Sequence, residues 1–152
     1  DRQVMSDLDS AVAFAAAHQG DQNRLGVIGF CRGGRNTWLY DAHNPRLKAA
    51  VSFYGAIQSP TSAIQPQSLL DVAAEIHAPM LTLNGRKDGA SKVDYLEAVA
   101  AKARAAGKVV EVVLYDDAGH GFHADYRPSY VQADAIDGWN RAMAWFKKYG
   151  VA

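Results

Sequence analysis

At 152 residues the chain is long enough for one domain with its own core, and its 49% apolar and 21% charged residues are ordinary for a globular protein. Sixteen basic residues balance sixteen acidic ones, which argues against a nucleic-acid groove or an anionic membrane surface as partner. No apolar run approaches the ~20 residues that span a bilayer. The single cysteine, Cys31, excludes an internal disulfide and fits a reducing compartment, so a cytoplasmic location is expected. Asp1-Arg2-Gln3 does not open a signal peptide. The first residue is not Met and a helical pattern begins almost at once, so upstream sequence is expected and residues 1–152 read as one incomplete domain.

In chain order, Val4, Leu8, Val12 and Ala15 recur at helical spacing, with Gly20 placed to end that helix. Arg24 to Phe30 reads as a short buried strand. A helix fits Gly34 to Ala42 and stops at Asn44-Pro45. Lys48 to Tyr54 is a second strand, and the Gly-, Pro- and Ser-rich stretch from Gly55 to Pro66 is a loop. A short helix fits Gln67 to Glu75. Pro79 to Asn84 is a third strand, with Pro79 at its entry where a missing N–H costs little. Ser91 is placed to cap a helix that runs to Ala106 and ends at Gly107. Val109 to Tyr115 is a fourth strand. Ser129 is placed to cap a last helix with Ala133, Ile136, Met143 and Phe146 on its inner face. The strands are continuous apolar runs, as expected when helices cover both faces of a parallel sheet. The expected fold is therefore α/β, a parallel sheet of about four strands flanked by helices.

Open parallel sheets bind ligands beyond the carboxyl ends of their strands. After the first strand comes Gly29-Phe30-Cys31-Arg32-Gly33-Gly34, a nucleophile-elbow pattern with Cys where Ser is commoner. The pattern puts the nucleophile on a tight strand-to-helix turn. Gly29 and Gly33 would leave room for neighbouring backbone, the helix dipole would stabilise negative charge on sulfur, and the Arg32 N–H would face a developing oxyanion. A buried, inert cysteine beside a Gly-rich turn fits the same residues. A dinucleotide loop does not, because the spacing is not Gly-x-Gly-x-x-Gly. After the third strand, Asp88 could orient an imidazole or simply close a turn. After the fourth strand, His120 lies between Gly119 and Gly121, free to approach a neighbouring loop. His18, His43 and His77 follow no strand end, and His123 is the rival base. The order nucleophile, Asp, His at the ends of three parallel strands is that of the α/β-hydrolases.

At these residues the sequence resembles the dienelactone hydrolase family, the carboxymethylenebutenolidases, from about Leu25 to Val151. The resemblance is carried by the elbow, by Phe53-Tyr54-Gly55, by the Asp88 loop and by Ala118-Gly119-His120-Gly121-Phe122. Arg127-Pro128-Ser129-Tyr130 and the helix ending Trp145-Phe146-Lys147-Lys148-Tyr149 add to it. It implies the C-terminal part of an α/β-hydrolase fold and a Cys31–Asp88–His120 triad. The implied reaction is hydrolysis of an enol-lactone or activated ester through a cysteinyl thioester, with a small-molecule substrate and no cofactor or metal. Tyr54, Phe122, Arg127 and Tyr130 would contact substrate. The same resemblance implies that a glutamate partnering the thiol, an arginine holding a substrate carboxylate and the second oxyanion donor lie upstream. Dienelactone hydrolases proper carry an Arg four residues after the His; Ala124 stands there, followed by Asp125, with Arg127 as the available substitute. The substrate need not be dienelactone itself.

Two further readings fit the same fold. One is a thiol domain in which Cys31 is only oxidisable, and the other is an interaction module. The run Leu25, Val27, Ile28 and Phe30 has no charge to blunt a sheet edge, so pairing there with an N-terminal half or another chain is expected.

Overall fold

Four short runs rich in Val, Ile, Leu and Phe pair in parallel, and the helices between them fill both faces of the resulting sheet. The computed structural model describes residues 1–152. Helix α1 spans Arg2–Ala17, β1 Gly26–Phe30, α2 Arg32–His43, β2 Ala49–Phe53 and α3 Leu69–Val72. Then follow β3 Met80–Gly85, α4 Val93–Ala105, β4 Val110–Tyr115 and α5 Gln132–Lys148. The sheet order is β1-β2-β3-β4, all parallel, which leaves β1 and β4 as the two edges. No helix is long and apolar enough to cross a membrane.

Successive strand residues point to opposite faces, and the two faces feed two cores. Ala50, Met80 and Val110 join α1 to α4 in one core, around the fully buried Trp38 and Leu96. Val51, Phe53, Leu81 and Leu83 join α5 in the other, through Ala142, Trp145 and Phe146. Each such Leu or Phe contributes about 1.5–3 kcal/mol on burial. The register sets Phe30 beside Phe53, Phe53 beside Leu83 and Leu83 beside Val113. The loops that leave the four strands therefore emerge at one end of the sheet.

Several boundaries differ from the sequence expectation. Arg24 lies in a one-turn 3-10 helix at Gln22–Arg24, where the Asp21 carboxylate accepts from the Asn23 amide, and the strand begins at Gly26. Gln19, at φ 71°, makes the left-handed turn after α1, and Gly20 follows it. Helix α2 starts at Arg32, two residues before Gly34. Helix α3 is only Leu69–Val72, closed at its start by a reciprocal Ser68–Asp71 capping box. Ser91 does not cap α4, because its hydroxyl is turned inward to Asn84. Ser129 does not cap α5. The Val131 amide donates to the Phe122 carbonyl at 3.0 Å, which keeps the chain extended until Gln132.

The phase of α5 also differs. Ala133, Ile136 and Met143 face outward, and of the expected inner positions only Phe146 is buried. The buried face is Ala135, Gly138, Ala142, Trp145 and Phe146. Gly138 lies over the Phe53 ring, where an added Cβ would sit 3.0 Å from it. Close packing on the sheet therefore selects the small residues and turns the larger Ile136 and Met143 outward.

Candidate active site

The turn between β1 and α2 is built around Cys31. Its amide donates to the Phe53 carbonyl at 3.0 Å, extending the strand ladder by one residue, and its own carbonyl accepts from the Arg35 amide at 3.1 Å. Caught between ladder and helix, Cys31 takes φ 56° and ψ −122°, a left-handed conformation that a side-chain-bearing residue holds only when its surroundings impose it. Gly29 must be small, because a Cβ there would press on the Gly33 carbonyl and lie 2.6 Å from Thr37 Oγ1. Gly33 itself is different from the expectation: a Cβ there meets nothing within 4 Å. The crowded glycine of the pair is Gly34, where a Cβ would lie 2.8 Å from the Gly55 Cα. The half-buried Cys31 thiol thus sits at the start of α2, beside the Arg32 amide, which belongs to the first helical turn and has no intrahelical acceptor. The Arg32 side chain is exposed.

The Asp88 and His120 loops meet in contact. Gly85, the last residue of β3, faces the Ala118 carbonyl so closely that only glycine fits. The Lys87 amide donates to that carbonyl at 3.0 Å, and the Arg86 amide donates to Tyr115 at 2.9 Å. The wholly buried Asp88 carboxylate accepts the Ala90 and Ser91 amides on Oδ1, at 2.7 and 2.9 Å. Its Oδ2 lies 2.8 Å from His120 Nδ1, and His120 Nε2 lies 3.0 Å from Cys31 Sγ. After His120 the chain turns at Gly121, φ 79°. Cys31, His120 and Asp88 are therefore linked in series. Asp116 and Asp117 are not part of the series. They form exposed ion pairs with Arg86 at 2.7 Å and Lys87 at 2.6 Å. His123 is committed elsewhere, packed among Phe30, Phe53 and Trp139, where burial lowers its pKa against a weaker opposing pull from Asp125.

Of the residues expected to contact substrate, two line an apolar cleft and two do not. Tyr54 and Tyr130 wall a cleft of about 680 Å³ with Phe30, His123, Asp125, Tyr126 and Trp139 among its other lining residues. Tyr54 joins this cleft to the series, its ring standing edge-on to His120 at 5.1 Å. It is also left-handed, at φ 38°, with its amide donating to Leu83 at 2.8 Å. Burial pushes its phenol up to about 12, so the group keeps its proton. Phe122 is wholly buried against Phe53, Tyr54 and Tyr115, and so supports Tyr54 from behind and is not among the residues that line this cleft. Arg127 is exposed, outside the cleft wall, with its guanidinium 5.7 Å from the Tyr126 ring. No three or more His, Cys, Asp and Glu side chains converge as a metal would require.

One group of residues escaped the sequence reading. Thr82 Oγ1 donates to Asn84 Oδ1 at 2.9 Å, Asn84 Nδ2 donates to Ser91 Oγ, and all three residues are wholly buried. The signal was present as two polar residues inside an otherwise apolar strand, but nothing in the sequence tied them to Asp88.

A parallel sheet covered on both faces, with a left-handed cysteine turn between its β1 strand and the following helix, defines the α/β-hydrolase fold. The chain belongs to the dienelactone hydrolase family, whose model matches residues 1–150. It is 52% identical over 153 residues to a Methylorubrum extorquens protein named, provisionally, a carboxymethylenebutenolidase; the match covers 100% of this chain and 53% of that protein. The carboxymethylenebutenolidase of Rhodococcus opacus is 31% identical over 153 residues, covering 98% of this chain and 58% of its own. A Klebsiella pneumoniae crystal structure, provisionally described as a dienelactone hydrolase, superposes with a TM-score of 0.94 at 48% identity. That superposition covers 98% of this chain and 62% of the other. The chain thus spans little more than half the length of the curated relatives it matches.

Proposed function

We propose that these residues carry the nucleophile, base and acid of a carboxylic ester hydrolase that opens enol-lactones or activated esters through a cysteinyl thioester. The observation that carries this reading is the series Cys31 Sγ, His120, Asp88, with links of 3.0 and 2.8 Å. In the proposed cycle His120 Nε2 takes the thiol proton while Asp88 holds Nδ1 and stabilises the imidazolium. The thiolate adds to the acyl carbon, and the Arg32 amide donates to the oxyanion. Collapse breaks the ester C–O bond and expels an enolate, which recovers the proton from His120. Water, deprotonated by His120, then cleaves the thioester and returns the thiol. Tyr54 and Tyr130 supply apolar walls for the substrate. A cytoplasmic setting suits the sole cysteine, which such a cycle requires in reduced form.

The test is acyl labelling of the full-length protein by an activated aryl ester, read by mass spectrometry. Label on Cys31, and no turnover by a folded Cys31→Ala variant, are expected. Label elsewhere with Cys31 bare, or a Cys31 that reacts with peroxide and never with ester, would sink the proposal.

We further infer that residues 1–152 form the C-terminal part of one α/β-hydrolase domain, and that a strand from outside them pairs with the free side of β1. Support comes from the uncharged edge of β1, from Phe30, 36% exposed at its end, and from the greater length of the relatives.

A further inference from the structure

Side chains alternate along β3, and with Met80 in the helix-covered core, Thr82 and Asn84 fall on the same face. Both are wholly buried, as is Ser91. A buried hydroxyl or amide is costly unless bonded, and an apolar residue of similar size would fill the same space without that cost. Here the bonds run in one direction, from Thr82 to Asn84 to Ser91. They end at the Asp88 carboxylate, because the Ser91 amide donates to Asp88 Oδ1 at 2.9 Å beside the Ala90 amide at 2.7 Å. With Oδ1 occupied twice, Oδ2 is the atom left to face His120, at 2.8 Å.

We propose that Asn84 and Ser91 are positioning residues for the hydrolysis: anchored to the strand by the Asn84 bond, the Ser91 turn holds the Asp88 carboxylate in the one rotation that meets His120 Nδ1. This rests on the triad reading above. Packing alone does not require polar residues at these buried positions; holding the carboxylate does. What that hold supplies is orientation. The ring nitrogens of His120 are met by Asp88 on one side and Cys31 on the other, so a carboxylate that turned would free the imidazole to swing away from Cys31.

Two variants separate this from a merely structural role. Ser91→Ala removes the acceptor of the Asn84 bond and keeps the amide that donates to Asp88, while Asn84→Ala removes the donor. In the full-length protein, with an activated aryl ester, each is expected to lower kcat roughly 10- to 100-fold with KM little changed. In an Asp88→Asn background the same changes are expected to add less than about twofold, because they act through that carboxylate. Losses that multiply in that background, or an unchanged kcat in folded Ser91→Ala protein, overturn the inference and leave the triad standing. An unchanged rate in Asp88→Asn itself overturns the triad, and the inference with it. Should Asn84→Ala fail to fold, Ser91→Ala, which deletes one oxygen, carries the test alone.

Discussion

The two edges of the sheet are finished to different degrees. At β4 the Met80 amide bonds to the Val109 carbonyl, so the next carbonyl, that of Val110, points away from the sheet. Arg104 covers it, donating from Nε at 3.0 Å and from a terminal nitrogen at 2.8 Å. Glu111 adds a charge to that edge. At β1 the Leu25 carbonyl and the Cys31 amide bond inward to β2, so the polar groups of Gly26, Ile28 and Phe30 point outward with neither charge nor side-chain cover. His120 and Asp88, the proposed base and its carboxylate, are attached to the finished side, stapled by the Gly85–Ala118 contact. Cys31, the proposed nucleophile, is attached to the unfinished side. The Asp88–His120 contact is thus held wholly within β3, β4 and the loops that follow them, whereas the outward side of β1 beside Cys31 is open.

The largest effect expected from this contrast is on rate. Asp88→Asn should lower kcat by roughly 10⁴-fold, as loss of the orienting carboxylate does in triads generally. Asp117→Asn, which breaks only an exposed pair with Lys87, should leave kcat within about twofold. A reversed ranking in steady-state kinetics would break the comparison at its finished end.

Amide hydrogen exchange addresses the other end. In full-length protein the Ile28 and Phe30 amides should be protected at least about 100-fold more than in residues 1–152 alone, with the outward amides of β4 unchanged. Equal exchange of the β1 amides in the two preparations would mean that nothing pairs there.

A control lies under neither edge. Asp41, wholly buried in α2, accepts the His77 and Ala78 amides on Oδ1, while Oδ2 has no partner. Burial raises its carboxyl to about 7, against the lowering effect of those two amides. The folded chain therefore keeps a proton that the unfolded chain releases near pH 4. The stability this supplies is full below about pH 4 and is lost as pH rises toward 7, by roughly 2 kcal/mol after allowance for relaxation. Asp41→Asn should flatten that fall in thermal melts between pH 4 and 8. A fall of the same size in the variant would place the titration elsewhere.

The smallest effect concerns Arg104. Arg104→Ala should cost about 1 kcal/mol, or some 2–4 °C in Tm, through the exposed β4 carbonyl. A loss of rate accompanying it would show that the two edges communicate.

Much of this was legible in the sequence, for physical reasons. Four apolar runs separated by helix-length segments admit few arrangements other than a covered parallel sheet, and all four strands lie within two residues of their expected bounds. Cys31, Asp88 and His120 were each ambiguous alone, and became specific because strand ends gather at one side. The inner face of α5 was not legible, since Ala135, Gly138 and Ala142 are chosen by closeness to Phe53 and not by hydrophobicity, so the stripe through Ile136 and Met143 misled. Nor was Phe122's place legible, because a buried aromatic and one that lines a ligand site look alike. The Asn84–Ser91 link depends on a side-chain rotation seven residues away, which no periodicity encodes.

Two glycines meet beneath the Cys31 turn and restrict which substitutions it tolerates. At Gly34 an added methyl would lie 2.8 Å from the Gly55 Cα, and at Gly55 it would lie 2.6 Å from the Gly34 Cα. Neither glycine has a neutral one-step neighbour, and enlarging both only worsens the clash. The Cys31 sulfur is under no such restriction, since exchanging it for oxygen alters one atom that projects from the turn. A change at Cys31 therefore leaves the backbone crossing beneath it in place, whereas a change at Gly34 or Gly55 must move that crossing.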